Sequence, residues 1–406
     1  MNLMHADSPR GLQPTTCLFA ARALRDFGDG FVAVLLPFYL LALGLSPLEV
    51  GIVATSSLFG SACLTIGAGL LGARYGHRQL LLGAASLMIA TGVAFALVND
   101  YALLLVVAFA GTINPSAGSV SVFVPLEHAA LTASVRDTER TRMFARYSLV
   151  GALAAAAGAL AAATPDLVEP IGVDRLTAIK AMFVLYALLG MGGGLLYARV
   201  PRAELSRDSQ EVSALGPSRK LVFKLAALFS LDAFAGGFVV QSLLALWLFE
   251  HFDLSLPMAG AFFFWSGVAS AFSFPVAAWL SLRIGLVNTM VFTHIPSSIA
   301  LILAAFAPTL PVALGLLLVR AALSQMDVPT RSSYVMAIIT ERERVAAASF
   351  TAVPRSLAAA ASPALAGALF AASYRAWPLV ICGVLKITYD VLLLMQFRHH
   401  KPPKER

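Results

Sequence analysis

Apolar runs of about 20 residues, each closed by a short polar break, recur along the whole chain. About that length of helix crosses the hydrocarbon core of a bilayer. Counting the breaks predicts twelve spans, near residues 24–43, 47–72, 79–98, 102–128, 143–164, 177–198, 221–249, 257–281, 287–307, 311–338, 346–372 and 376–396. Stretches such as 149–163 do not alternate polar with apolar positions, so barrel strands fit them poorly. The pattern therefore predicts an all-α integral membrane protein.

Composition agrees, with 59% hydrophobic and 13% charged residues and a mean hydropathy of +0.80. The net charge of +7 invites a nucleic-acid reading until its placement is considered. With the N-terminus in the cytoplasm, eighteen basic residues fall on inner connections and the C-terminal tail, among them Arg74, Arg78, Arg136, Arg283 and Lys401. Only Arg175, Lys180 and Arg375 fall on outer ones. That asymmetry predicts both termini inside, a lipid bilayer as the basic residues' partner, and no nucleic acid. The first twenty residues lack an apolar core, so the first span is expected to direct insertion. Cys17, Cys63 and Cys382 have no metal-like or disulfide-like spacing.

The longest hydrophilic stretch, Tyr197 to Lys220, divides the chain. The domains expected are a tail at 1–23, a six-helix bundle at 24–198, a linker at 199–220, a second bundle at 221–396 and a basic tail at 397–406. The halves echo each other: VPLEHAALTASVRDTER from Val124 overlays VPTRSSYVMAIITERER from Val328 at an offset of 204. Gly72 to Gly76 overlays Ser281 to Gly285, and Gly30-Phe31-Val32 overlays Gly237-Phe238-Val239, at offsets of 209 and 207. Six-span repeats that rock about a midplane site are a transporter architecture.

The corner GLLGARYGHR, Gly69 to Arg78, resembles the signature loop of the major facilitator superfamily, roughly Gly-x-Leu-x-Asp-Arg-x-Gly-Arg-Arg. Gly69, Leu71, Arg74, Gly76 and Arg78 match it, and the second corner echoes it at Arg283 and Gly285. Ala73 stands where that family carries an acid, which leaves the loop's usual latch without its carboxylate. The resemblance implies twelve helices in two repeats, alternating access, and a pathway lined by the first, fourth, seventh and tenth spans.

Charges inside spans are costly, which makes each a functional candidate. In span one, Arg22 and Asp26, and likewise Arg25 and Asp29, are four apart on one face. They read either as ion pairs at the inner membrane face or, for Asp29, as a proton or substrate group. In span ten, Arg320, Ser324, Asp327 and Arg331 form a polar stripe that lines either a cavity or a buried network. Glu127 occupies the repeat position of Arg331, and the two are expected to form a cytoplasmic gate that pairs when the inner side closes, or else to be separately hydrated. Asp232 lies deep in span seven. A carboxylate withdrawn from water holds its proton more tightly, so Asp232 is the first choice for proton coupling, with Asp327 a further candidate and a structural pair with Arg the alternative reading. Arg355 could reach substrate or Asp327, and His294 reads as a proton carrier or as a hydrogen-bonded core residue. Asn114-Pro115 and Ser362-Pro363 are expected to interrupt their helices, freeing carbonyls. Ala154 to Gly158 and Gly190 to Gly194 suit close helix packing, and Thr340 with Glu343 suits a capping box.

No HExxH, Walker loop or paired cysteine cluster is present, so neither an enzyme, a cofactor nor a metal site is expected. The function expected is a monomeric secondary transporter of a bacterial inner membrane, coupled to protons and moving a small organic solute by alternating access, with efflux slightly favoured. Span one resembles an efflux pattern at Asp26 to Gly30 and Pro37, while span five lacks an antiporter-like Gly-Pro pair after Gly158. Uptake of a small charged metabolite, and a non-transporting receptor on the same fold, stand as alternatives. The candidate charges Arg25, Arg320, Arg331 and Arg355 balance Asp29, Glu127, Asp232 and Asp327, so their number does not give the sign of the substrate.

Overall fold

A computed structural model describes residues 13–72, 74–117, 121–132, 140–201, 216, 218–339 and 343–397. Most of the linker, the greater part of both expected tails, Ala73, Arg136 and Thr340 lie outside the described residues. The first half comprises α1 (Pro14–Ala42), α2 (Pro47–Leu71), α3 (His77–Leu97), α4 (Tyr101–Ala110), α5 (Phe123–Thr132), α6 (Arg140–Ala161), the short α7 (Thr164–Val168) and α8 (Arg175–Tyr197). The second comprises α9 (Arg219–Gly237), α10 (Gln241–Phe252), α11 (Leu256–Ile284), α12 (Leu286–Ala304), α13 (Leu310–Ser324), α14 (Asp327–Ile338), α15 (Arg344–Ala371) and α16 (Trp377–Phe397). Among the described residues, nine helical stretches are long and apolar enough to cross a membrane.

Local chemistry starts several of these helices. Ser46 and Glu49 form a reciprocal capping box at α2, with Pro47 supplying a preset first turn. Asp100 and Asp174 cap α4 and α8 by accepting the amides of Leu103 and Thr177. The two basic corners differ in backbone. Gly285 turns at φ +87°, where only glycine is comfortable, whereas Gly72 and Gly76 keep negative φ. Glu343 does not simply open its own helix: it accepts from Gly216 N at 2.5 Å and from Ser218 Oγ at 2.6 Å, tying α15 to the entrance of α9.

Helix limits depart from the apolar runs in an informative way. α1 starts at Pro14, ten residues before its expected edge, so Arg25, Asp26 and Asp29 are buried inside a 29-residue helix and not at a hydrated face. Spans four, seven and ten are each broken in two, as α4 and α5, α9 and α10, and α13 and α14. The expected break at Asn114-Pro115 is present. The one at Ser362-Pro363 is not: Pro354 and Pro363 both lie within continuous α15, and Ser362 Oγ donates to the Phe234 carbonyl at 2.6 Å.

The two halves meet from the middle of the molecule toward the face opposite the basic corners. Ser242 N donates to the Pro115 carbonyl at 3.0 Å, the Ala364 amide donates to Thr55 Oγ1 at 2.9 Å, and the rings of Phe38 and Phe249 sit 4.8 Å apart. A β-carbon on Gly51 would lie 2.9 Å from Gly367 Cα, so α2 and α15 touch backbone to backbone. α6 and α11 meet where Gly260 lies under the Ala159 carbonyl. Toward the corners, the polar partners described below lie within one half at a time. Among the described residues, the contacts between the bundles named above lie from the middle of the molecule toward the face opposite the basic corners.

Candidate functional site

In the first half, α1 carries the charges and α5, α6 and α8 supply their partners. Glu127 is fully buried and receives Arg25 Nη2 at 3.0 Å, the Tyr197 hydroxyl at 2.6 Å and the Tyr147 hydroxyl. A buried carboxylate needs this many donors to offset its lost hydration. Arg25 is shared, lying 3.2 Å from Asp26 and 3.8 Å from Asp29, and Phe123 lies beneath its guanidinium. Arg22 pairs with Asp26 at 2.6 Å and reaches the Tyr147 hydroxyl. Asp29 has the longest of these ion pairs and also accepts from Tyr186 OH at 3.2 Å.

In the second half, Asp232 of α9 is held by Lys386 at 2.6 Å and Arg331 at 3.0 Å. Arg331 also contacts Asp327 at 3.3 Å. His294 bridges behind them: its Nδ1 faces Asp390 at 3.0 Å, and its Nε2 lies 3.3 Å from Lys386 and 3.9 Å from Asp232. The sequence-level alternative of Asp232 as an Arg partner matches this arrangement. If this carboxylate lost its charge, Arg331 would keep Asp327 but Lys386 would be left without a carboxylate partner.

The two networks are related through the internal repeat. The Gly-Phe-Val overlay at an offset of 207 carries Arg25 onto Asp232, and the Val-Pro overlay at 204 carries Glu127 onto Arg331. Each half thus builds the same 3.0 Å pair between its first and fourth spans, with the signs exchanged. Glu127 and Arg331 are apart here, each engaged inside its own bundle.

The remaining candidates are distributed as follows. Asn114 is buried at the break between α4 and α5, where its side chain accepts from Ser116 N. The carbonyls freed there already have protein donors: Tyr186 OH on Thr112, Ser57 Oγ on Ile113 and Ser242 N on Pro115. Arg320 and Ser324 are half-buried on the stripe, and Arg355 is exposed along α15. At the signature corner, Gly69 and Gly76 flank the turn, Arg74 is exposed, and Arg78 donates to the Ala198 carbonyl at 2.6 Å, gripping the end of α8. Arg283, beside Gly285, lies over the Trp279 ring. Trp247 and Phe262 are core residues, while Trp265 and Phe272 are exposed.

Lys386 and Asp390 were not anticipated, although charges in an otherwise apolar span were a visible signal. Tyr147, Tyr186 and Tyr197 carried no such mark, because a tyrosine in a span reads equally as filler. Among the described residues no group of three or more His, Cys, Asp or Glu side chains is placed to hold a metal.

Comparison with known proteins agrees with this architecture. An uncharacterized membrane protein of Saccharomyces cerevisiae is 23% identical, covering 94% of this chain and 93% of its own. The inward-open xylose transporter XylE from E. coli superposes with a TM-score of 0.75 at 13% identity, over 96% of this chain and 98% of that one. The nucleoside transporter NupG gives 0.71 at 14% identity, over 96% and 100%. At such identities the solved structures speak for the fold alone. One family model matches over residues 18–249 and 225–406, and the chain belongs to the Major Facilitator Superfamily.

Proposed function

We propose that this protein is a secondary transporter that moves a small organic solute by alternating access, exporting it in exchange for protons. The observation that carries this reading is the pair of bundles in contact from mid-molecule toward one face, with sign-exchanged ion pairs buried in each. Rocking the bundles about that contact would expose a midplane site first to one side and then to the other. We read the basic corner face as cytoplasmic. The asymmetry of basic residues supports that orientation, in a bacterial inner membrane, with the monomer as the transporting unit.

For the proton we propose Asp29 ahead of Asp232 and Asp327. The first half holds Arg22 and Arg25 against Asp26, Asp29 and Glu127, one acid in excess, and Asp29 has the weakest hold on a cation. A proton there would neutralise the surplus and leave Tyr186 as its hydrogen-bond partner. Glu127 and Arg331 are proposed to exchange partners as the corner face closes.

The test is transport in proteoliposomes loaded with a mixed panel of labelled metabolites under an imposed pH gradient. Gradient-driven efflux of at least one solute is expected. In the Asp29→Asn protein, solute exchange should persist while the gradient loses its effect. Absence of any flux from the whole panel would remove the transporter reading, and a gradient response unchanged in Asp29→Asn would remove Asp29 from the coupling step.

A further inference from the structure

We infer that Tyr186 carries the protonation state of Asp29 to the break in span four: its one hydroxyl hydrogen goes to an ionised Asp29, and to the Thr112 carbonyl once Asp29 holds a proton. This rests on the reading of Asp29 as the proton site and adds how a bound proton acts on the fold.

A phenol has a single hydrogen to donate. The Tyr186 hydroxyl has Asp29 Oδ1 at 3.2 Å and the Thr112 carbonyl at 3.1 Å, and the Thr112 hydroxyl lies 3.2 Å away. The near-equal distances place the phenolic oxygen between two acceptors that compete for one hydrogen. Packing against α1 keeps it there. The ring stands edge-on to Phe31, and a β-carbon on Gly28 would come within 2.8 Å of it. Tyr186 is 1% exposed, so the choice is made among protein groups.

Which acceptor wins depends on charge. A hydrogen bond to an ionised acceptor is roughly twice as strong as one between neutral groups, so an ionised Asp29 takes the hydrogen and Thr112 gives it up. A protonated Asp29 is itself a donor: its O–H turns to the phenolic oxygen, and the phenol hydrogen turns to Thr112. The added proton stays on the carboxyl group, and the tyrosine hydrogen changes only its acceptor. Asp29 feels Arg25, Asp26 and Arg22 from its own helix and Tyr186 from α8. Glu127 of α5, Tyr147 of α6 and Tyr197 of α8 act on it through Arg25.

The Thr112 carbonyl matters because of its neighbours. α4 ends at Ala110 and α5 begins at Phe123. Between them, Ser57 of α2 donates to the Ile113 carbonyl and Ser242 of the second bundle donates to the Pro115 carbonyl, while the Thr112 amide is fixed on Thr91 Oγ1 at 3.2 Å. The donor to Thr112, unlike theirs, has a carboxylate competing for it. A proton on α1 therefore tightens α8 onto a segment that the second bundle also grips.

Ser116, half-buried in that segment, is replaced by cysteine in a protein whose exposed Cys63 is changed to alanine. Its rate of labelling by a water-soluble thiol reagent is followed against pH and divided by the rate in the same protein carrying Asp29→Asn, which cancels the thiol's own titration. Losing one neutral hydrogen bond shifts local opening by about two- to tenfold. The ratio is expected to rise by that factor as Asp29 ionises and Thr112 loses its donor. It should stay flat when both proteins carry Tyr186→Phe, and should still rise with Thr112→Val, which deletes the hydroxyl and keeps the carbonyl. A rise that survives Tyr186→Phe, or one that Thr112→Val abolishes as completely, overturns the inference. Infrared spectroscopy separates this from the reading beneath, since a protonated-carboxyl band that Asp29→Asn removes puts the proton on Asp29. With that band present, a flat ratio overturns the role of Tyr186 alone; with no such band at any pH, the proton site itself is overturned.

Discussion

Asp232→Ala is expected to lower the stability of the purified protein by about 3–5 kcal/mol and to abolish transport, because it leaves buried charge without compensation. Arg331 would keep Asp327 at 3.3 Å, but Lys386 would face only the His294 ring at 3.3 Å. The damage should therefore arise mainly from Lys386. Asp232→Asn combined with Lys386→Met removes the stranded ammonium and should melt above Asp232→Asn alone, a non-additivity expected of residues in direct contact. Thermal melting of both singles and the double decides it. A double mutant whose loss equals the sum of the singles would show that the 2.6 Å contact contributes nothing. In the other half, Glu127→Ala leaves the hydroxyls of Tyr147 and Tyr197 buried without their acceptor, at roughly 1–3 kcal/mol each. Arg25 would still have Asp26 and Asp29, so the two halves should fail for different reasons: one through a stranded cation, the other through orphaned hydroxyls.

Gly51→Trp with Gly367→Trp is expected to reduce transport to background and to hold the protein open at the face where the bundles now meet. The α-carbons there are too close for any side chain, since a β-carbon on either glycine would lie 2.9 Å from the other's Cα. An indole cannot be fitted without separating α2 from α15. The large residues thus act on the equilibrium between states and need not disturb either bundle's interior. Thr55, which accepts the Ala364 amide across this contact, provides the readout. A cysteine substituted for Thr55 should react several-fold faster with an impermeant thiol reagent in the double tryptophan protein. Unchanged labelling, with the protein still folded, would mean that this contact does not govern closure.

How far these properties could be read beforehand follows from the range of the forces involved. Apolar run length depends only on neighbouring residues, and it revealed the membrane and most helices. The repeat was legible because two copies of one packing problem keep similar side chains at similar offsets. Helix ends were less legible. The chain runs helically from Pro14 because its early charges are paired inside the bundle, where hydropathy counts them against a span. A proline broke span four, yet the pair in α15 bent nothing enough to end it, because neighbouring groups such as Phe234 take up the local hydrogen bonding.

The sequence by itself determined the kind of solvent this chain requires, its twofold construction, and which side chains carry charge in the apolar interior. Only the tertiary structure decided which charges meet. Coulomb attraction acts over a few ångströms, and whether Glu127 finds Arg25 or Arg331 is set by the packing of α5 against α1, a relation between segments about a hundred residues apart. The same packing gave Asp232 to Lys386 and Arg331. It left no carboxylate of the described residues within 4.0 Å of Arg320 or Arg355, although the count of charges gives each a possible partner.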